Sequence, residues 1–266
     1  MIFQRATTLM LFFCSIFCFL KWIQTFAVIE KPKLKFFTIG TKGHHILDIG
    51  QRSFREKGFE VTVLGTTENT TTGNQHPTIH AAFGFKIRLS REYILSDQHR
   101  PDDILVYFDG YDSYLSGDPN KFLEEYNKFT KPIVFGACIY NYPDRRAPYP
   151  PENKKYEFPY LNAGGFVGKV SAFREILVET DFPDDFDDQR YWTRKYLSRP
   201  DLIEIDHLHR LFLAFHGMNR KNFTIIGDQA FYNDAKPIIV HASGGTKSWL
   251  SPFIKYAEKK FNLEPH

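Results

Sequence analysis

Residues 104–112 read Ile-Leu-Val-Tyr-Phe-Asp-Gly-Tyr-Asp, five apolar residues running straight into a turn with two carboxylates. A short, uninterrupted apolar run bounded by a turn signal is the mark of a strand buried on both faces, as in a parallel sheet. Ligand sites in open α/β sheets lie beyond the carboxyl ends of such strands, so the position of Asp109 and Asp112 matters as much as their identity. Two carboxylates three residues apart across a tight turn can converge on one hard cation. The competing reading is a capping Asp109 and a solvated Asp112.

Working outward, Phe36-Phe37-Thr38-Ile39-Gly40 predicts a strand, and Ile46, Leu47, Ile49 and Phe54 recur at helical spacing before Gly58. Val61 to Gly65 predicts the next strand. Together they form a β-loop-α-β unit, which argues for parallel pairing. Helices are expected over Ile87–Leu95, Lys121–Phe129 and Ser171–Glu179, and the acidic run Asp184–Asp188 is expected to lead into another that continues through Leu197. Strands are expected over Ile133–Ala137, Ile203–Ile205, Phe223–Ile226 and Pro237–His241, and a long Pro- and Tyr-rich loop over Asn141–Pro159. The expected fold is α/β, a central mostly parallel sheet flanked by helices, in one domain over residues 28–266.

Composition narrows the class. Of the 266 residues, 42% are hydrophobic and 17% aromatic, a globular composition. The N-terminus carries Arg5, an apolar run Leu9–Leu20 and the small-residue context Thr25-Phe26-Ala27. Residues 1–27 are expected to be a cleaved signal peptide, the rival being an uncleaved anchor over Leu9–Val28. Without Arg5 and Lys21, 32 basic side chains face 31 acidic ones. That balance offers no footprint for nucleic acid, and contact with a membrane is expected only if the leader is kept. Cys138 is alone outside the leader, so neither a disulfide scaffold nor a multi-thiolate zinc site is available to the chain. Sequons at Asn69-Thr70-Thr71 and Asn222-Phe223-Thr224 suit a luminal location.

Three further constellations carry chemistry. His241-Ala242-Ser243-Gly244-Gly245-Thr246-Lys247 follows an apolar strand. Its imidazole suits Mn²⁺ better than Mg²⁺, its glycines admit phosphate oxygens to the backbone, and Lys247 adds a point charge. Asp187, Asp188 and Gln189 stand at a helix start, where carboxylates either cap the helix or face a sugar. Asn162, ahead of Gly164-Gly165, can bond a sugar hydroxyl, although a structural turn explains the glycines equally well. Asp206-His207-Leu208-His209 has the look of a metal cluster and is read as structural.

Five segments in one order (Phe37–Thr41, Tyr107–Asp112, Leu161–Gly168, Asp187–Tyr196 and Ile238–Lys247) resemble the glycosyltransferase domain of the procollagen lysyl hydroxylase family, a GT-A-like, Rossmann-type fold. The resemblance implies transfer of glucose from UDP-glucose to galactosyl-hydroxylysine with Mn²⁺. It further implies that Asp109, Asp112 and His241 hold the metal. Ile39, Gly40, Thr41, Asp109, Gly110, Tyr111, Gly244, Gly245, Thr246 and Lys247 would line the nucleotide-sugar, and Asn162, Asp187, Asp188 and Gln189 would face the sugar or acceptor. The implied partners are a nucleotide-sugar donor and a protein or glycan acceptor, collagen-like by analogy, in the endoplasmic reticulum or Golgi lumen or outside the cell. Thr70 falls where the family has a donor-site Trp, and Tyr142 where it has an acceptor-side Trp. Full-length family members continue into hydroxylase domains, so no lysine hydroxylation is expected of this chain. The alternative to an enzyme is a silent module that binds UDP-sugar or collagen-like chains.

Overall fold

In the computed structural model, residues 31–66, 83–178, 183 and 186–264 are described. The leader reading, Asn69 and Thr70 therefore lie outside the described residues. Met1–Pro32 and Lys33–His266 are separate units, and everything below concerns the second.

The chain begins with β1 (Leu34–Ile39), α1 (His45–Glu56) and β2 (Val61–Leu64), followed by α2 (Gly84–Leu95) and β3 (Ile104–Phe108). Next come β4 (Ser113–Leu115), α3 (Phe122–Tyr126), β5 (Ile133–Cys138), β6 (Tyr160–Lys169), α4 (Val170–Ile176) and α5 (Asp188–Ser198). The last part holds β7 (Ile203–Asp206), β8 (Phe212–Ala214), β9 (Phe223–Ile226), β10 (Gln229–Tyr232), β11 (Ile239–His241) and α6 (Ser251–Phe261).

Six strands form the main sheet in the order β2-β1-β3-β6-β5-β7. β1 pairs parallel with β2 and β3, and β5 with β7, while β6 runs antiparallel between β3 and β5. The mostly parallel sheet expected from the β-loop-α-β unit is thus present. Both faces are covered, as the unbroken apolar runs require. Phe37, Leu105, Tyr107 and Phe135 pack into one core cluster, and Phe36, Val106, Phe108 and Val134 into another on the opposite face.

A second, three-stranded sheet, β4-β11-β8, was not expected. Each of its strands is three residues long, below the length at which periodicity speaks. The helix expected at Lys121–Phe129 is a 3₁₀ turn, Pro119–Lys121, followed by the short α3. Within the loop over 141–159 lies a 3₁₀ turn, Pro151–Lys155. The C-terminal α6, which packs on α1, had no counterpart among the expected elements.

Candidate metal centre

The site forms where the chain crosses between sheets. β3 ends at Phe108 in the large sheet and β4 starts at Ser113 in the small one, so residues 109–112 are the crossing. Two backbone bonds fix it: Asp109 N–H donates to Gly164 O at 3.0 Å, and Ala242 N–H donates to Asp112 O at 2.7 Å. In the small sheet His241 pairs with Ser113. Asp109, Asp112 and His241 thereby offer donor atoms within 4.8 Å of one another.

Asp109 and His241 are oriented from behind. Asn162 Oδ1 accepts from Gly164 N–H at 3.2 Å and lies 2.9 Å from His241 Nδ1. An amide oxygen only accepts, so Nδ1 carries the hydrogen and the Nε2 lone pair turns toward the carboxylates. Nε2 stands 3.4 Å from Asp112 Oδ1 and 3.5 Å from Asp109 Oδ2. It is buried and has no hydrogen-bond partner. An orphaned buried lone pair facing two carboxylate oxygens is an arrangement that a cation completes. Burial opposes charging the ring, but Asp112 and Asp109 outweigh it and raise the His241 pKa, so a proton competes with a cation for Nε2. The Asp-Asp-His set fits a divalent ion.

The glycine pair is explained by the same approach. A Cβ on Gly164 would lie 2.0 Å from His241 Cε1, so the ring rests directly on the β6 backbone. There β6 bulges: Phe135 pairs with Phe166 but the next residue, Gly136, pairs with Asn162. Gly164-Gly165 is therefore part of a bulged strand rather than a turn.

One participant has little sequence signal. Lys86, in the first turn of α2, reaches Asp109 Oδ1 at 2.6 Å and Asp188 Oδ2 at 3.4 Å. Its only mark in the sequence is a lysine set between Phe85 and Ile87. Burial disfavours its charge, yet Asp109 and Asp188 hold its pKa well above the ordinary value. Tyr107 Oη also donates to Asp109 Oδ1, at 2.6 Å, which leaves Oδ2 for the His241 side. Burial raises the Asp188 carboxyl; Lys86 opposes that rise, and Asp109 and Asp187 add to it.

The other expected residues divide. Asp187 is the N-cap of α5, its carboxylate accepting from Arg190 N–H at 2.7 Å. Gln189 uses its amide on β6, accepting from Ala163 N–H at 2.8 Å and donating to Leu161 O at 2.8 Å. Both therefore have scaffold bonds; Asp188 accepts from Gln189 N–H at 2.9 Å and is also joined to Asp109 through Lys86.

On the β1 side of the crossing, Tyr111 Oη accepts from Lys42 N–H at 2.9 Å and lies 3.5 Å from Thr41 Oγ1, tying the crossing to the loop after Ile39 and Gly40. A Cβ on Gly110 would sit 2.7 Å from Thr38 Oγ1, so this turn is packed tightly on β1. Gly244 (φ +61°), Gly245, Thr246 and Lys247 lie in a 3₁₀ helix, Gly244–Leu250. Thr246 Oγ1 donates inward to Ser243 O at 2.8 Å, while exposed Lys247 stands 3.8 Å from Asp112 Oδ2. His44, the N-cap of α1, joins this group: burial, Lys247 and Lys42 lower its pKa.

Asp206, His207 and His209 gather no metal set among the described residues. Asp206 instead accepts from the backbone N–H groups of Arg210, Leu211 and Phe212 at 2.7–3.0 Å.

A family model described as the PLOD GT domain matches residues 30–266. Procollagen-lysine,2-oxoglutarate 5-dioxygenase 1 of Gallus gallus is 26% identical over 247 residues, 88% of this chain and 33% of its own. The multifunctional procollagen lysine hydroxylase and glycosyltransferase of Caenorhabditis elegans is 29% identical over 253 residues, 89% of this chain and 34% of its own. For LH3 of Homo sapiens, with the same descriptive name, the figures are 29% over 227 residues, 80% and 30%. The chain spans about a third of the length of the curated relatives it matches. Among solved structures, a glycosyltransferase involved in the glycosylation of the major capsid of PBCV-1 aligns over 84% of this chain and 99% of its own, at 12% identity and a TM-score of 0.48.

Proposed function

The chain belongs to the PLOD GT domain family of glycosyltransferase domains, and from that membership we propose a metal-dependent enzyme that moves a hexose from a UDP-sugar, UDP-glucose foremost, to a luminal acceptor. The acceptor class is galactosyl-hydroxylysine or a related group on a collagen-like chain, met in the secretory pathway. The observation that carries the metal reading is the buried His241 Nε2, held toward Asp109 and Asp112 by Asn162 and left without a partner.

Asp109, Asp112 and His241 would hold the ion, with Mn²⁺ suited to the mixed carboxylate and imidazole set. When bound, it supplies charge neutralisation for a departing diphosphate. The remaining work falls to the chain. Gly244 and Gly245 offer backbone N–H groups to phosphate oxygens, and Lys247 adds a positive charge beside Asp112. Tyr111 and the Ile39–Thr41 segment wall the nucleotide. Lys86 keeps Asp109 ionised and spaces it from Asp188, which serves the sugar or the incoming hydroxyl. Asn162 orients His241 through its oxygen and keeps its amide NH₂ for a sugar hydroxyl.

The test is UDP release from UDP-glucose and other donor sugars by purified protein, with Mn²⁺ and after chelation. Release that requires the metal is expected. Tight UDP binding with no release from any donor, in the presence of acceptor, would overturn the enzyme in favour of a binding module.

A further inference from the structure

Along α5 from Asp188 lies a cleft of about 590 Å³, between that helix and the turn that follows Pro143. Ala147 N–H donates to Asp144 O at 2.8 Å, closing a four-residue turn with Arg145 and Arg146 at its two central positions. Asn141 Nδ2 pins that turn, donating to Arg145 O at 3.3 Å and Ala147 O at 3.1 Å. Across the cleft stand Thr193, Arg194 and Leu197, which with Arg190 follow at i, i+3, i+4 and i+7 on α5 and so share one helix face. Asp144 Oδ2 bonds Arg190 Nε at 3.1 Å and joins the two walls.

The charge in this cleft is unbalanced. Asp144 is the one acidic residue lining it, and that carboxylate is engaged by Arg190. Arg145, Arg146 and Arg194 have no carboxylate partner among the described residues, and Arg194 instead lies over the Phe186 ring at 5.9 Å. Three guanidinium groups on opposite walls of a cleft match carboxylates, which they bind through paired N–H donors. Arg194 is six positions along α5 from Asp188, about 9 Å at the helical rise. An extended polypeptide covers that in two or three residues, at about 3.3–3.6 Å each.

We propose that this cleft, walled by Arg145, Arg146 and Arg194, recognises acidic side chains of the acceptor polypeptide two or three residues from the position that receives the sugar. The inference rests on the transferase reading for its acceptor and goes beyond it in naming an anionic sequence context. It also accounts for an exposed turn being tied to α5, the helix that carries Asp188.

The test uses labelled peptides of Gly-Pro-Glu repeats and their Gly-Pro-Gln twins, with binding to the whole protein followed by fluorescence anisotropy. The Glu peptide is expected to bind at least about tenfold more tightly than its twin, and Arg145→Gln/Arg146→Gln should remove most of that difference. The melting temperature of the variant, whose changes sit on an exposed turn, serves as the folding control. Equal binding of the two peptides, or a double variant that still prefers the Glu peptide, overturns the proposal. So does capture of heparin, but not of the Glu peptide, by the same arginines. UDP release by the unmodified protein, measured with a galactosyl-hydroxylysine acceptor and without the Glu peptide, reports on the transferase assignment separately. A silent donor site with a working Glu preference would sink the enzyme reading and leave the cleft as the acidic-polypeptide site of a binding module.

Discussion

Asp206-His207-Leu208-His209 and the Asp109/Asp112/His241 group both put aspartate and histidine at the end of a buried strand, one after β7 and one at β3 and β11. The first looks more like a metal site in the sequence, because its residues are adjacent. The second is assembled from positions about 130 residues apart. Folding reverses the impression. Asp206 is saturated by three backbone donors, His209 Nδ1 lies 3.3 Å from Phe212 O, and His207 stacks on Tyr156 with its Nδ1 2.7 Å from Phe158 O. In the second group the bonds to Asp109 and His241 lie behind the ligands, and the free donor atoms of all three residues converge. A ligand set is distinguished by unsatisfied atoms that converge, and residue type alone does not reveal that.

Breaking the comparison begins with its most exposed claim. Asp112→Asn should weaken Mn²⁺-dependent UDP binding about a hundredfold, the upper end of what losses around metal ligands cost. Calorimetric affinity unchanged from the native protein would remove the distinction between the two clusters. Asp206→Asn should do the reverse, lowering unfolding free energy by about 2 kcal/mol through three weakened charge-assisted bonds while leaving UDP affinity alone. Chemical denaturation and UDP titration on the same sample decide it; weakened UDP binding in a stable variant would make the adjacent cluster functional after all.

Two smaller effects sharpen the picture. Asn162→Ala frees the His241 ring to turn, so metal-dependent UDP binding should fall about tenfold, an effect transmitted through orientation alone. If affinity holds, His241 is positioned by Gly164 packing and the Asn162 bond is incidental. Asp187 and Asp188, read together in the sequence, should now behave apart. Asp187→Asn is expected to cost on the order of 0.5–1 kcal/mol of stability as a weakened helix cap, whereas Asp188→Asn should lower turnover with UDP affinity kept within about twofold. Matching melting and rate data for the two variants would erase the division.

Most of the large sheet was legible because its strands are buried on both faces and read as apolar runs, from Phe36 and Phe37 through Ile104–Phe108, whereas β6, interrupted by Gly164-Gly165, was not read as a strand. The small sheet was not: Phe212–Ala214 and Ser113–Leu115 become strands only because β11 lies between them. Asp109, Asp112 and His241 were readable as strand-end residues, but their convergence depends on that hidden sheet. Lys86 was illegible for a different reason. One lysine in an apolar helical stretch is ordinarily a surface side chain, and only the packing of α2 turns it inward between two carboxylates. Gly164 was ambiguous until the imidazole that lies against it was in view.

The crossing at residues 109–112 has a consequence for how occupancy and folding are linked. Asp109 is carried by the large sheet and His241 by the small one, so a chain whose sheets have not docked has no intact donor set. Any ligand held by these three side chains therefore binds the native state alone, and its free energy is added to global unfolding rather than to one loop. At a hundred times its dissociation constant that linkage is worth about 2.7 kcal/mol. Saturation with ion and nucleotide should consequently delay the melting of both sheets together, as one cooperative transition.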